Sequence, residues 1–323
     1  MEYIKLGKSD LKVSRFAFGT WQAQGWANSD DQRFIEIVKS AIENGVTFFD
    51  TAESYGNGYS ESLLQKALEK DRHNVVIASK FSHRSATPTD ARKALEQSLR
   101  RLKTDYIDLY QYHWPSPTVP LSETIEAMKQ FKNEGKIRAI GVSNWMEPEW
   151  EEFEDTTSID TLQNCYSLLW RSVEKTVLPL CKTKDVSMLC YSPLAQGILA
   201  GRFEDINHIP KDPRQSNVLL KPEKFPEVQK IVTATKNIAK KIGKSVSQVS
   251  LRWLLDQPGV SVVIIGSTKL EQLKDNLGTL DWRLEQSDLQ ELANVSEELS
   301  SSLNPHDTLW KWHSRKEKAK KTL

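Results

Sequence analysis

Polar side chains that could take part in a reaction lie at the ends of apolar runs in this sequence. Asp50 ends the run that contains Phe48 and Phe49, and Tyr55 follows five residues later, directly before Gly56. An aspartate that leaves a strand and a tyrosine on the next turn can face the same small space. The pair alone also fits an ordinary turn, because Asp-Thr often opens one and bonds the local backbone.

Lys80 strengthens the functional interpretation, since it ends the apolar run 75–78. A buried ammonium is costly unless it is paired, and Asp50 from the adjacent strand is the natural partner. A nearby ammonium favours the phenolate and lowers the pKa of a tyrosine, which is about 10 when unperturbed. Asp50, Tyr55 and Lys80 are therefore suited to proton transfer, and His113 with Trp114 ends a further apolar run.

The elements that would hold these residues form a repeated strand–helix unit. The predicted strands are near-continuous runs of Val, Ile, Leu and Tyr, which is typical of parallel strands covered on both faces. They cover residues 15–20, 47–50, 74–79, 106–112, 138–142, 160–164, 187–191 and 261–265. Helical patterns or capping signals follow at 30–44, 60–70, from 87, 121–134, 147–154 and 172–184.

Eight such units predict an α/β fold, a closed (β/α)₈ TIM barrel. A doubly wound open sheet is the alternative, but the first strand lacks the G-x-G-x-x-G that this fold uses for dinucleotides. The chain is expected to form a single barrel domain over 1–323. It would carry an N-terminal β-hairpin in 1–15, a cofactor-covering loop at 197–226 after the seventh barrel strand, and a C-terminal tail at 299–323.

Composition restricts the class of partner. The 323 residues include 44 basic and 43 acidic side chains, and this balance gives no reason to expect nucleic acid. Cys165, Cys181 and Cys190 show no paired spacing, which indicates buried thiols in a reducing compartment. We find no signal peptide and no apolar run long enough to span a membrane. A cytoplasmic protein without a membrane partner or metal site is expected, and the oligomeric state stays open.

Polar residues also follow the later strands, and their order carries a family resemblance. The chain resembles the aldo-keto reductases over almost its whole length. The matching motifs are Gly19-Thr20-Trp21, Asp50-Thr51-Ala52 with Tyr55-Gly56, Lys80, Asp108-Leu109-Tyr110 with His113-Trp114, Gly141-Val142-Ser143-Asn144, Gln163-Asn164-Cys165-Tyr166, Tyr191-Ser192-Pro193-Leu194, and Ile264-Ile265-Gly266-Ser267 with Glu271-Gln272 and Asn276.

The resemblance implies NADPH-linked reduction of a small-molecule aldehyde or ketone by a tetrad of Asp50, Tyr55, Lys80 and His113. In this interpretation Tyr55 protonates the reduced carbonyl oxygen, while His113 donates a hydrogen bond that orients it. Trp21, Trp114 and Trp145 would form the apolar wall of the substrate pocket. The implied cofactor contacts are Ser143, Asn144, Gln163, Tyr191, Ser192, Leu194, Gln196, Gly197, Arg202, Arg214, Gly266, Ser267, Lys269, Gln272 and Asn276.

One departure concerns the cofactor. Many relatives carry a basic residue directly after the last strand's Gly-Ser or Gly-Ala, where it grips the 2′-phosphate. Here that position is Thr268, and Lys269 follows it. NADPH is the expected cofactor, with NADH as the alternative.

Two other functions stay open. One is a cofactor-binding regulatory subunit of the same fold with little turnover, like potassium-channel β-subunits. Met1 directly precedes the predicted hairpin and leaves no N-terminal inactivation segment, which favours the enzyme. The other is a cofactor-free barrel isomerase or lyase. We also expect Trp310 or Trp312 to cover the pocket mouth, so that deleting residues 304–323 changes substrate choice and spares cofactor affinity.

Overall fold

The structure is a computed structural model that describes residues 1–24, 30–206, 209, 212–304, 306–311 and 313–315. The strands are β1 Tyr3–Lys5, β2 Lys12–Ser14, β3 Phe16–Gly19, β4 Phe48–Asp50, β5 Val76–Phe81, β6 Ile107–Tyr112, β7 Ile137–Ser143, β8 Thr161–Cys165, β9 Ser187–Tyr191 and β10 Val260–Ile265. The eight parallel strands β3–β10 close into a barrel in the order β10-β3-β4-β5-β6-β7-β8-β9, which confirms the predicted (β/α)₈ fold.

Helices surround this barrel, and those predicted from 30, 60, 87, 121 and 147 begin within one residue of these positions, whereas the helix predicted over 172–184 begins at Val177. Asp30 accepts hydrogen bonds from the first turn of α1, and Thr87 caps α3 with Pro88 at its first position. The helices are α1 Asp31–Glu43, α2 Tyr59–Leu68, α3 Pro88–Leu102, α4 Leu121–Asn133, α5 Glu147–Glu152, α6 Val177–Thr183, α7 Phe225–Ile242, α8 Val246–Leu255, α9 Leu270–Leu277 and α10 Gln286–Ser301. Within the described ranges no helix is both long and apolar enough to cross a bilayer.

The predicted N-terminal hairpin closes one end of the barrel. Strands β1 and β2 pair antiparallel, and Leu6, Leu11 and Val13 pack into one buried cluster with inward-facing barrel residues. Gly7 lies in the turn with φ +47°, and a Cβ there would approach the Asp160 carbonyl oxygen to 2.1 Å. The hairpin therefore seals the end where the strands begin and leaves the opposite end for chemistry.

Strand alternation divides the barrel interior into two layers. Near the hairpin the inward positions are apolar, namely Ala17, Phe48, Val76, Ala78, Leu109, Ala139, Leu189, Val262 and Ile264. Because side chains alternate between faces, the inward positions two residues further along β4, β5 and β6 are Asp50, Lys80 and Gln111. A polar layer therefore lies next to the apolar layer, at the carboxyl ends of the strands.

The chain after β9 follows a different course from the regular repeat. Short 3₁₀ turns at Ala195–Ala200, Pro213–Ser216 and Val218–Leu220 occupy the predicted loop, and α7 and α8 both precede β10. Helix α10 continues to Ser301, two residues past the expected start of the tail at 299. The described parts of the tail, 306–311 and 313–315, then lie across the barrel end.

Candidate active site

Lys80 connects Asp50 and Tyr55. Its Nζ donates to Asp50 Oδ1 at 2.6 Å and to the Thr51 carbonyl oxygen at 2.8 Å, and it lies 3.3 Å from the Tyr55 hydroxyl. The Lys80 side chain is fully buried and Asp50 is nearly so. The ion pair expected between neighbouring strands β4 and β5 is therefore present, with Tyr55 at its open side.

The electrostatics of this group differ in part from the expectation. Burial lowers the pKa of Lys80, but attraction to Asp50 and Tyr55 outweighs it, so the net pKa lies above its ordinary value. Burial also raises the pKa of Tyr55, and the Lys80 ammonium offsets this only in part. The predicted lowering of the Tyr55 pKa is thus wrong in its net direction, because desolvation exceeds the effect of the lysine. Tyr55 keeps its proton at neutral pH.

His113 stands beside Tyr55 at the end of β6. The two ring centroids are 5.8 Å apart, and the rings meet edge to face. Burial and the nearby Lys80 charge lower the pKa of His113 well below its usual range. The imidazole is therefore neutral at pH 7 and offers one N–H for a hydrogen bond. Its Nδ1 lies 3.5 Å from the Ser54 hydroxyl.

Gln111 belongs to this site although the sequence interpretation did not include it. Asp50 Oδ2 accepts hydrogen bonds from Gln163 Nε2 at 2.8 Å and from Gln111 Nε2 at 3.2 Å. Gln163 Nε2 also lies 3.2 Å from Gln111 Oε1. The available signal was the alternation along β6, which places Gln111 on the same inward face as Leu109.

Three predicted carboxamide contacts and Tyr191 lie side by side at the ends of β7, β8 and β9. Ser143 Oγ donates to the Gln163 carbonyl oxygen at 2.7 Å, and Asn144 Nδ2 donates to the His113 carbonyl oxygen at 3.0 Å. Asn144 Oδ1 accepts from the Tyr191 hydroxyl at 2.8 Å. The four residues are thus gathered next to His113 and Asp50.

Two of the three predicted pocket tryptophans lie at the open end of the barrel. Trp21 meets Trp310 of the tail edge to face, with ring centroids 6.0 Å apart. Trp114 meets the His313 ring at 5.5 Å in the same way. Trp145 departs from the expectation, because it is fully buried against Trp150 and Phe153 beneath α5. Its ring belongs to the core.

The tail is attached on two sides of the barrel end. The Leu309 carbonyl oxygen accepts from the Val218 amide at 2.7 Å, in the segment after β9. Further on, Arg315 pairs with Glu152 of α5 at 2.6 Å. Trp310 thus lies over Trp21 as one of the two residues expected there, whereas Trp312 lies outside the described residues. The sequence does not predict this hydrogen bond between Val218 and Leu309.

The segment after β9 has an unusual backbone. Ser192, Ala195 and Gln196 have φ between 47° and 60°, and Gly197 follows with φ 98°. Leu194 lies within this segment and is partly buried. Asn217 Nδ2 donates to Gln196 Oε1 at 2.9 Å and so connects the start of the segment to its end.

The two arginines of this segment differ in their surroundings. Arg202 is exposed. Arg214 directs its guanidinium at Asp212, with Nε 2.9 Å from Oδ1, and lies over the Phe203 ring. In this arrangement Arg214 is engaged by a carboxylate, which a ligand would have to displace before the arginine served as a cofactor contact.

The end of β10 leads into α9 through the remaining predicted cofactor residues. Gly266 follows the strand, and Asn276 Nδ2 lies 3.4 Å from Ser267 Oγ. Gln272 Oε1 accepts from the Thr268 amide at 2.9 Å. Lys269 is exposed at the N-terminus of α9. An exposed lysine at a helix N-terminus offers positive charge to an anionic group.

The chain is similar to known proteins over most of its length. Residues 15–297 match the family model described as "Aldo/keto reductase family". The chain is 35% identical over 311 residues to the aldo-keto reductase YhdN of Bacillus subtilis, covering 92% of this chain and 94% of the relative. It is 30% identical over 325 residues to an NADH-specific methylglyoxal reductase of Escherichia coli, covering 93% and 99%.

Solved structures show the same similarity. The glycerol dehydrogenase AKR11B4 of Gluconobacter oxydans superposes with a TM-score of 0.84 at 28% identity, covering 94% of this chain and 98% of that one. An aldo/keto reductase of Klebsiella pneumoniae, solved with NADP and acetate, gives a TM-score of 0.75 at 30% identity over 91% and 94% of the two chains.

Proposed function

The chain belongs to the aldo/keto reductase family, and from this premise we propose that it reduces aldehydes or ketones with NADPH, using Tyr55 as the proton donor. The observation that carries the proposal is the position of Lys80 Nζ, 2.6 Å from Asp50 Oδ1 and 3.3 Å from the Tyr55 hydroxyl. This arrangement fixes a protonated tyrosine beside a buried positive charge at the open end of the barrel.

The residues present fit a dinucleotide along the carboxyl ends of β7–β10. Among the described residues, Gln196 Nε2 is a buried donor without a hydrogen-bond partner. It lies in the left-handed turn after β9, and an acceptor-rich group such as a pyrophosphate would satisfy it. Ser143, Asn144 and Gln163 would hold a carboxamide, and Tyr191 would lie against the nicotinamide ring.

A reduced nicotinamide bound there supplies the hydride. As negative charge develops on the carbonyl oxygen, the Tyr55 hydroxyl donates its proton to it. The buried Lys80 ammonium stabilises the phenolate that remains, and Asp50 keeps that ammonium charged and in place. Neutral His113 donates a hydrogen bond to the same oxygen and orients the substrate.

The remaining cofactor contacts would come from the turn after β9 and from the start of α9. The turn after β9 would contribute Ser192, Leu194, Gln196 and Gly197, and Arg202 would add positive charge. The start of α9 would contribute Gly266, Ser267, Lys269, Gln272 and Asn276, with Lys269 facing the adenosine 2′-phosphate. Because Lys269 is the main charge there, we expect NADPH to be preferred over NADH by a modest margin.

A regulatory subunit is the competing function, and the relatives described as reductases and as a dehydrogenase favour the enzyme. The test follows the loss of nicotinamide absorbance with each reduced cofactor and a panel of aldehydes. Methylglyoxal heads the panel, because the Escherichia coli relative is described as a methylglyoxal reductase. Tight cofactor binding without turnover of any aldehyde would support the regulatory alternative instead.

A further inference from the structure

Gln111 is a fully buried amide in the polar layer of the barrel. It lies opposite Lys80 in the register between β5 and β6. Its Nε2 donates to Asp50 Oδ2 at 3.2 Å, and its Oε1 lies 3.2 Å from Gln163 Nε2. The Gln111 side chain therefore contacts the carboxylate that holds Lys80. Its other hydrogen-bond partner, Gln163, is uncharged.

The neighbouring strand β7 provides the space that this amide occupies. A Cβ on Gly141 would come within 2.7 Å of Gln111 Cγ and 2.5 Å of Thr161 Oγ1. Glycine at 141 thus permits a long amide on β6 to reach across to Asp50. The shape of the barrel interior is matched to Gln111 as well as to the charged pair.

Asp50 Oδ2 needs a donor that does not leave when ligand binds. Its shorter hydrogen bond comes from Gln163. On the proposed function, on which this inference rests, the same Gln163 amide also contacts the nicotinamide carboxamide. The two N–H groups of Gln163 are directed at Asp50 Oδ2 and at Gln111 Oε1, so a hydrogen bond that Gln163 donated to the cofactor would take one of them. Gln111 is fully buried in the barrel interior, so its hydrogen bond to Asp50 would persist if Gln163 donated to the cofactor instead.

We propose that Gln111 is a positioning residue for Asp50, and through Asp50 for Lys80 and Tyr55. Because Gln111 holds Asp50 Oδ2, Oδ1 stays directed at the Lys80 ammonium while Gln163 contacts the cofactor. The charged groups facing Gln111 are Asp50 from β4 and Lys80 from β5. Strands β7 and β8 face it with Gly141, Thr161 and Gln163, which do not ionise.

The first test replaces Gln111 with Met, which keeps the length and removes the donor. We expect kcat to fall about tenfold, the equivalent of one hydrogen bond to a charged group, with KM for the aldehyde and cofactor affinity nearly unchanged. Thr161→Val is the matched control, since it alters a buried side chain beside Gly141 without touching Asp50. An unchanged kcat in Gln111→Met, or an equal loss in Thr161→Val, would overturn the proposal.

The second variant, Gln111→Glu, tests the donor itself. A glutamate there faces Asp50, and burial together with the like charge raises its pKa. When protonated it again donates to Asp50, so we expect kcat relative to wild type to recover as pH falls. A ratio that stays constant with pH would show that only the volume at 111 matters, and the proposal would fail.

A readout without turnover separates this proposal from the proposed function. Carbon-13 NMR of the tyrosine Cζ, with Tyr55→Phe for assignment, follows the titration of Tyr55 in each variant. A loosened Lys80 would lower the pKa of Tyr55 less, so Gln111→Met should move this titration to higher pH and Thr161→Val should leave it in place. Absent turnover in the wild type refutes the proposed function, whereas an unmoved Tyr55 titration refutes the positioning role.

Discussion

The Lys80 ammonium has no exposed surface and donates to Asp50 Oδ1 at 2.6 Å across two neighbouring strands of the barrel. An isolated charge in such surroundings would be expelled or neutralised, because its desolvation cost is several kcal/mol. The carboxylate compensates the ammonium, and the amides of Gln163 and Gln111 complete the hydrogen bonding of the carboxylate. The buried pair is thus held as a charged unit directly beneath Tyr55.

Removing Lys80 from this buried pair should destabilise the protein more than removing a lysine from an exposed pair does. Lys80→Met leaves the Asp50 carboxylate buried without its counter-charge, so we expect a loss of about 3–5 kcal/mol in the free energy of unfolding. Urea denaturation measures it. Lys93→Met is the matched control, since the Lys93–Asp90 pair on α3 is exposed and such pairs contribute little. Equal losses in the two variants would contradict a buried, uncompensated carboxylate as the cause.

Tyr55→Phe should separate chemistry from binding. The substitution keeps the ring and removes only the hydroxyl, so folding and NADPH affinity should stay close to wild type while kcat falls about 10²–10⁴-fold. Steady-state turnover of a reactive aldehyde and a cofactor titration measure the two quantities. Near-normal turnover in this variant would exclude Tyr55 as the proton donor.

The double variant Tyr55→Phe, Lys80→Met tests whether the two residues act as one unit. Lys80→Met alone should also reduce kcat, because the phenolate left after proton transfer loses its stabilising charge. Once Tyr55 lacks its hydroxyl, Lys80 has nothing left to stabilise, so the double variant should be little worse than either single one. Losses in kcat that multiply would break the proposed coupling.

His113 predicts how stability depends on pH. Burial and Lys80 lower the pKa of His113 well below its usual value. In the unfolded chain His113 is protonated at about pH 6.5, whereas in the folded protein it stays neutral at that pH. The unfolded state therefore gains protons first as pH falls, and stability decreases below about pH 6.5 by up to ~1.4 kcal/mol per pH unit. His113→Gln should flatten that part of the curve, measured by denaturation across pH. Parallel curves for the two proteins would contradict it.

Lys269 tests the cofactor preference. Removing its charge in Lys269→Ala should bring the NADPH-over-NADH affinity ratio close to one, because the 2′-phosphate loses a charge-assisted hydrogen bond. Lys274→Ala, an exposed lysine on the same helix, is the control. Fluorescence titrations with both cofactors measure the ratio. An unchanged NADPH affinity in Lys269→Ala would place the 2′-phosphate elsewhere.

The sequence predicted the barrel and the pairing of its charges well, for a physical reason. Parallel strands buried on both faces leave long apolar runs, and a charge at the end of such a run must find a partner on the neighbouring strand. Lys80 and Asp50 form such a pair. Gln111 follows from the same alternation, since it lies two residues after inward-facing Leu109, but an uncharged amide gives no comparable signal.

Other features depend on contacts that the local sequence does not encode. Trp145 follows the motif residue Asn144, yet its ring packs beneath α5 because Trp150 and Phe153 lie there. Arg214 pairs with Asp212 two residues away. The sequence alone does not distinguish an arginine paired in this way from one that is available to bind a phosphate. The net pKa of Tyr55 depends on how far burial exceeds the effect of Lys80, and burial is a property of the folded protein.

The tail shows how the structure changes an expectation from the sequence. Trp310 meets Trp21 at the pocket side, whereas Leu309 accepts a hydrogen bond from Val218 in the segment after β9. Asn217, next to Val218, holds Gln196 in the turn proposed to contact the cofactor. Deleting residues 304–323 should therefore change KM across aldehydes and also weaken cofactor affinity, which replaces the expectation that cofactor affinity is spared.

A point variant separates the two effects of the tail. Trp310→Ala removes the contact with Trp21 but keeps the backbone hydrogen bond of Leu309, so it should change the order of KM values among aldehydes and leave NADPH affinity as in wild type. The deletion removes both contacts and should lower NADPH affinity as well. KM values across the aldehyde panel and cofactor titrations of both proteins test this. If the deletion binds NADPH as tightly as Trp310→Ala does, the hydrogen bond between Val218 and Leu309 does not support the cofactor site.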